Sequence, residues 1–184
     1  MLTNIILKEL ALGSQIILVI LFAILAYMFL NYAVRMIEMG YVLKHKKPLY
    51  NHFYFRLRKL RNNQKSILEH QFPFYKKLND KGKKYFEHRV ASFIKDKHYI
   101  GRGGFLITDE VKVLIASTAV MLTFGFRDFY IGFISKIVVY PNKFYSNTNG
   151  AYHKGEFNPK LKALVLSWED FTSGFNDDTD NLNL

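Results

Sequence analysis

Cysteine is absent from the 184 residues, so disulfides, thiolate metal sites and a cysteine nucleophile are all excluded, a pattern that suits a reducing compartment. Internal repeats and low-complexity segments are also missing. The length accommodates an ordinary domain of roughly 100 to 200 residues plus an anchor, but not two catalytic domains. Acidic residues are scarce: 15 Asp and Glu stand against 26 Lys and Arg, and the net charge of +11 calls for an anionic partner such as lipid headgroups or nucleic acid. The imbalance is local, because residues 41–84 hold thirteen Lys and Arg with only Glu69 and Asp80 opposing them. Carboxylates gather instead near the C-terminus, at Asp170, Asp177, Asp178 and Asp180.

What the chain has in excess is one apolar run. Residues 16–34 read IILVILFAILAYMFLNYAV, with Asn31 the one strongly polar side chain. Nineteen helical residues at about 1.5 Å each match a hydrocarbon core of roughly 30 Å. The run is apolar all round, unlike a core helix with a polar stripe, and it lacks the small-residue cleavage site of a signal peptide. Lys8 stands almost alone before it, whereas Arg35, Lys44, Lys46 and Lys47 follow closely. The positive-inside bias therefore predicts a short outer N-terminus (1–15), a span (16–34) and a cytoplasmic remainder, as in a single-pass protein of a bacterial inner membrane.

Residues 35–71 read as a basic, aromatic connector, helical over about 35–62, with Arg56, Arg58, Lys59 and Arg61 joining the four earlier cations as candidates for contact with the membrane surface. Lipid is the nearer anion for this segment, and nucleic acid is not expected. Farther on, Phe86, Val90, Phe93, Ile94 and Lys97 recur at helical spacing behind a capping Asp80. Thr108, followed by Asp109 and Glu110, opens a second, almost wholly apolar helix that Gly125 stops. The runs 136–140 and 163–168 read as strands, and the 146–159 stretch, rich in Asn and Gly, as loose chain. The fold class is α+β.

Several motifs reduce to plain structure. Gly101-Arg102-Gly103-Gly104 follows no expected strand and lacks the Lys-Ser/Thr pair of a phosphate loop, so it reads as a turn. The six histidines show no metal-binding spacing. Asp177, Asp178 and Asp180 lack the glycine and distal Glu of a calcium loop.

Taken in order, the blocks from Phe72 onward resemble the Mlc titration factor A family of zinc-dependent peptidases. These are Phe72-Pro73-Phe74-Tyr75-Lys76-Lys77-Leu78, His88-Arg89-Val90 with Phe93, and Gly101-Arg102-Gly103-Gly104. They continue through Ile107-Thr108-Asp109-Glu110-Val111-Lys112-Val113-Leu114-Ile115-Ala116, Val139-Tyr140-Pro141 and Leu164-Val165-Leu166-Ser167-Trp168-Glu169-Asp170. The block from His153 to Pro159 fits membrane-tethered members, while the run from Ile115 to Ala119 departs mildly from the family pattern.

The resemblance implies a zincin-like metallopeptidase domain over 72–184, with zinc as cofactor, a peptide or protein as substrate and a cytoplasmic transcriptional regulator as a further partner. It also implies a His-Glu-x-x-His helix after an Asn-rich stretch like Asp180-Asn181-Leu182-Asn183-Leu184, where this sequence ends. The expectation is an N-terminal fragment with no catalytic or metal-binding residue of its own, inactive alone. Leu164, Val165, Leu166, Ser167 and Trp168 are then expected to form the exposed strand that pairs with substrate, Val165 and Ser167 on one face and the other three opposite. The alternative is a non-enzymatic, membrane-tethered binding module that uses its basic region for anionic lipid or a cytoplasmic regulator.

Overall fold

The computed structural model describes residues 2–45, 49, 54–146 and 150–176, with side chains in the first helix described from residue 13. Lys46, Lys47, Asp177, Asp178 and Asp180 lie outside the described residues. The chain divides into two compact units, Met1–Tyr50 and Asn51–Leu184.

The first unit is helix α1, Leu2–His45. Its portion Gly13–His45 is long and apolar enough to cross a membrane, and among the described residues none of the apolar window is buried. The helix continues through Arg35 and Lys44, both exposed. The expected helical connector therefore holds only to His45. Residues 54–61 carry no helix, because this stretch is drawn out along the second unit, where Tyr54 and Leu60 join the core and the Arg58 amide finds a side-chain acceptor.

In the second unit, helices α2 (Asn62–Gln71), α3 (Pro73–Lys77), α4 (Asp80–Asp96) and α5 (Asp109–Leu122) pack against one face of a sheet. Asn79 caps α4, its Oδ1 accepting from the Gly82 amide at 2.8 Å; Asp80, expected in that role, sits one residue inside as the first-turn carboxylate. Thr108 caps α5 as expected, through the Val111 amide at 3.3 Å. Phe86, Val90 and Phe93 of α4 meet Val113, Ala116 and Val120 of α5 in the core.

The sheet runs β1 (His98–Gly101), β2 (Lys136–Tyr140), β6 (Ala163–Ser167), β5 (Gly155–Asn158), with the first three parallel and β5 antiparallel. Helix α5 is the crossover from β1 to β2 that a parallel pair requires. In register, Tyr99, Ile137 and Leu164 lie side by side, and Val139 and Leu166 continue the core face. A separate hairpin, β3 (Phe144–Ser146) with β4 (Ala151–His153), precedes β5. The 146–159 stretch thus contains two strands where loose chain was expected. Trp168 leaves the sheet and begins α6 (Trp168–Asn176).

The glycine run does follow a strand, since Gly101 ends β1. A Cβ on Gly101 would stand 1.9 Å from the Phe105 carbonyl oxygen, and Gly103 and Gly104 take φ of 62° and 78°. The glycines serve the tight backbone return toward α5.

Arg89 is buried on α4. Its Nη1 donates to the carbonyls of Thr123 and Phe124 at 3.2 and 3.1 Å, its Nε donates to the Tyr54 hydroxyl at 2.9 Å, and the guanidinium lies over the Phe129 ring. Replacing Arg89 with Met removes three hydrogen bonds at about 1 kcal/mol each and leaves the part-buried Phe124 carbonyl without its donor, while the Thr123 carbonyl keeps the Phe126 amide at 2.9 Å. Thermal unfolding of Arg89→Met in detergent is expected to show a loss of at least ~2 kcal/mol relative to the native chain, and an unchanged midpoint would refute this role.

Candidate functional site

Strand β6 has both backbone edges occupied, by β2 on one side and β5 on the other. The expectation that 164–168 is the exposed, substrate-pairing strand is therefore wrong, and the reason is topological: β5, hidden among turn residues, covers that edge. The side-chain alternation stands, with Leu164 and Leu166 toward the core and Val165 on the opposite face.

The sheet ends in two edge strands, β1 and β5, and β5 is the one beside β6. Ser167 donates its amide to the Lys154 carbonyl at 2.8 Å, and the antiparallel register then makes Glu156 with Val165 and Asn158 with Ala163 the hydrogen-bonded pairs. Gly155 and Phe157 consequently point their amides and carbonyls away from β6, where no strand among the described residues meets them. Phe157 is 40% exposed and sets its ring edge-on to Phe133, 5.4 Å between centroids. An extended peptide laid along this edge would receive two donors and two acceptors, with an apolar side-chain pair beside them.

The Ser167-Trp168-Glu169-Asp170 block builds the start of α6 next to that edge. Ser167 Oγ donates to Asp170 Oδ2 at 2.7 Å and accepts the Asp170 amide at 3.3 Å, while Lys154 reaches Asp170 Oδ1 at 2.9 Å. Hydrogen bonds from Ser167 and Lys154 hold the Asp170 carboxyl below its usual range. Trp168 stacks on Phe171 and separates two cavities, of about 410 and 520 Å3, that also share Glu110. The larger is lined by His70, Leu114, Thr172 and Phe175 among others.

Asp109 of the Ile107-to-Ala116 block joins two helix starts. It accepts from Asn63 at 2.6 Å and Gln64 at 3.1 Å and pairs with Arg61. Burial works against its charged form, but those hydrogen bonds and the Arg61 and Lys112 charges outweigh it and keep its pKa low. Arg61, a candidate for the membrane surface, is thus committed to Asp109. Arg56, Arg58 and Lys59 stay exposed.

The Glucose-regulated metallo-peptidase M90 family matches residues 49–184. The chain belongs to this family. The M90 match starts well before Phe72, where the resemblance was expected to begin, and it takes in the 54–60 strap that packs on α4. An uncharacterized protein of Synechocystis sp. is similar, 29% identical over 114 residues, covering 56% of this chain. The matched part spans 42% of that relative's length.

Family membership makes the chain metallopeptidase-related, and a catalytic zinc needs about three converging protein ligands. Among the described residues no group of three or more His, Asp or Glu converges, and the sequence contains no His-Glu-x-x-His. His153 illustrates the mismatch: its Nε2 is buried without a hydrogen-bond partner, but among the described residues it belongs to no group of three or more His, Asp or Glu. The described residues do not make a metal site.

His88 and Tyr54 were not singled out as site residues, because each looks like an ordinary aromatic in a basic sequence. His88 Nδ1 accepts the Arg58 amide at 2.8 Å, and its ring lies 4.2 Å from Tyr54. Burial, then the Arg58 and Arg89 charges, push its pKa below the ordinary 6.5. The folded chain therefore resists the proton that the unfolded chain accepts near pH 6.5, so stability is full above that pH and falls as pH drops through it. His88→Asn, whose Oδ1 replaces the acceptor without titrating, should flatten the decline in melting temperature between pH 7 and 5.5. Equal slopes for the two proteins would contradict the assignment.

Asp109→Ala removes the clamp between α2 and α5 and is expected to cost about 1–3 kcal/mol. Chemical denaturation should show that loss, and Arg61→Ala should cost less because that side chain is 67% exposed.

Proposed function

We propose that the chain is the N-terminal, substrate-binding portion of a membrane-anchored zinc metallopeptidase with a zincin-like domain. Helix α1 is the single transmembrane anchor, oriented with the second unit on the cytoplasmic side of a bacterial inner membrane. The positive charge that follows the apolar run supports this direction. The catalytic metal ligands are contributed by sequence beyond Leu184, and the 184 residues alone hold no zinc and cleave nothing.

The observation that carries the reading is the free antiparallel edge of β5 within an M90 chain. Peptidases that act on extended substrates hold the main chain by adding it to a sheet edge, which binds any sequence and leaves selectivity to flanking side chains. The Gly155 and Phe157 amides and carbonyls are placed for that role, with the Phe133–Phe157 pair for an apolar substrate residue. The non-enzymatic binding module remains the second reading, supported by the exposed Arg56, Arg58 and Lys59. A cytoplasmic regulator would serve as protein substrate in the first reading and as bound partner in the second.

Metal analysis and a peptidase assay on this chain, beside one extended to include the following coding sequence, separate the readings. Zinc and activity in the extended chain alone support the peptidase; no activity in either, with a protein partner retained by both, supports the module. In the active extended chain, Phe157→Pro removes an outward amide without breaking the β5–β6 ladder. It should lower kcat/KM by at least about tenfold, the worth of one hydrogen bond, because the ring beside Phe133 is lost along with the amide. Unaltered kcat/KM would rule out β5 as the substrate edge.

A further inference from the structure

The strap between residues 54 and 60 is pinned at three points and open between them. Tyr54 turns inward, its hydroxyl accepting from Arg89 and its ring against His88. The Arg58 amide is held by His88, and Leu60 is buried. Between these pins Phe55 is 98% exposed and Leu57 is 41% exposed. Burial of apolar surface ordinarily favours the opposite arrangement, and here an otherwise fixed segment presents a whole phenyl ring to solvent.

The sequence around that ring is uniformly cationic. From Glu38 to Glu69 the intervening sequence has eight Lys and Arg and no carboxylate. Arg61 and Lys65 are taken up by Asp109 and Glu87. Arg56, Arg58 and Lys59 are exposed, and none of the ion pairs among the described residues uses them. Apolar side chains alternating with uncommitted cations suit a surface that is anionic outside and hydrocarbon just beneath. Aromatic rings favour the interfacial layer of a bilayer, and nearby cations are attracted to its anionic headgroups. The length of chain permits the encounter: nine residues lie between Phe55 and His45, the last residue of α1, a path of at most ~35 Å when extended.

We propose that Phe55 and Leu57 insert into the interfacial layer of the membrane that α1 crosses, while Arg56, Arg58 and Lys59 contact anionic lipid headgroups. The proposal rests on the reading of α1 as an anchor. It gives the second unit its own lipid contact through the strap, independent of the span. The pins at Tyr54 and Arg58 transmit that contact to α4, so the orientation of the unit at the membrane is set by a rigid segment.

The absence of cysteine allows single-site labelling of the full chain in lipid nanodiscs. An environment-sensitive fluorophore is attached to Phe55→Cys, to Leu25→Cys within the apolar run, or to Tyr152→Cys on the hairpin, which is 73% exposed. Quenching by lipids brominated in the acyl chain is compared in discs of phosphatidylcholine alone and discs containing phosphatidylglycerol. The expected result is quenching at Leu25→Cys in both lipids. At Phe55→Cys it should be several-fold stronger than at Tyr152→Cys in the anionic discs, and it should weaken with added salt or with Arg56, Arg58 and Lys59 all changed to Gln. Quenching at Phe55→Cys no greater than at Tyr152→Cys, with Leu25→Cys quenched, overturns the insertion and leaves the anchor standing. An unquenched Leu25→Cys removes the anchor and the insertion with it.

Discussion

Arg89 carries its charge into the core of the second unit, and what meets that charge decides much of the architecture. The carbonyls of Thr123 and Phe124 lie just past the C-terminal end of α5, where the helix dipole favours a cation, and the Thr123 carbonyl accepts the Phe126 amide as well. The Phe129 ring covers one face of the guanidinium, 4.9 Å from its centre. The Tyr54 hydroxyl accepts from Nε. One side chain of α4 thereby fixes where α5 stops, how the chain turns toward β2, and where the strap lies on the surface.

The sheet follows from the same packing. Once α4 and α5 are locked, α5 carries the chain from β1 to a parallel β2, and β6 joins β2 in the same direction. The chain between β2 and β6 includes the hairpin and then β5, which runs back along β6 and ends the sheet with an antiparallel strand. That order converts β6 into an inner strand and gives the exposed main-chain groups to Gly155 and Phe157. The motifs of the resemblance then acquire mechanical meanings: Asp109 clamps two helix starts, Ser167 and Asp170 cap a third, and the glycine run lets the backbone return from β1.

Long periodic elements were legible in the sequence. The apolar run, α5 with its Thr108 cap, and the strands at 136–140 and 163–167 follow from patterns that span a turn or more of regular structure. Three- and four-residue strands were not, because β3, β4 and β5 are too short to display alternation and sit among Asn, Gly and Lys. With β5 unseen, β6 looked like the edge strand of the sheet. The strap was misread as helix because its local propensity is neutral, and only tertiary partners on α4, invisible in a single sequence, draw it out. Asn79 took the cap expected of Asp80 because either side chain can serve and backbone geometry chose the earlier one.

The central claim is that β5 offers its outer backbone edge to an extended peptide, and amide hydrogen exchange on the full chain in detergent tests it without any need for metal or turnover. With a saturating apolar peptide present, the Gly155 and Phe157 amides should slow, whereas Glu156 and Asn158, already bonded to β6, should keep their rates. Unchanged exchange at Gly155 and Phe157, or slowing confined to β1 at the other edge of the sheet, would contradict the account.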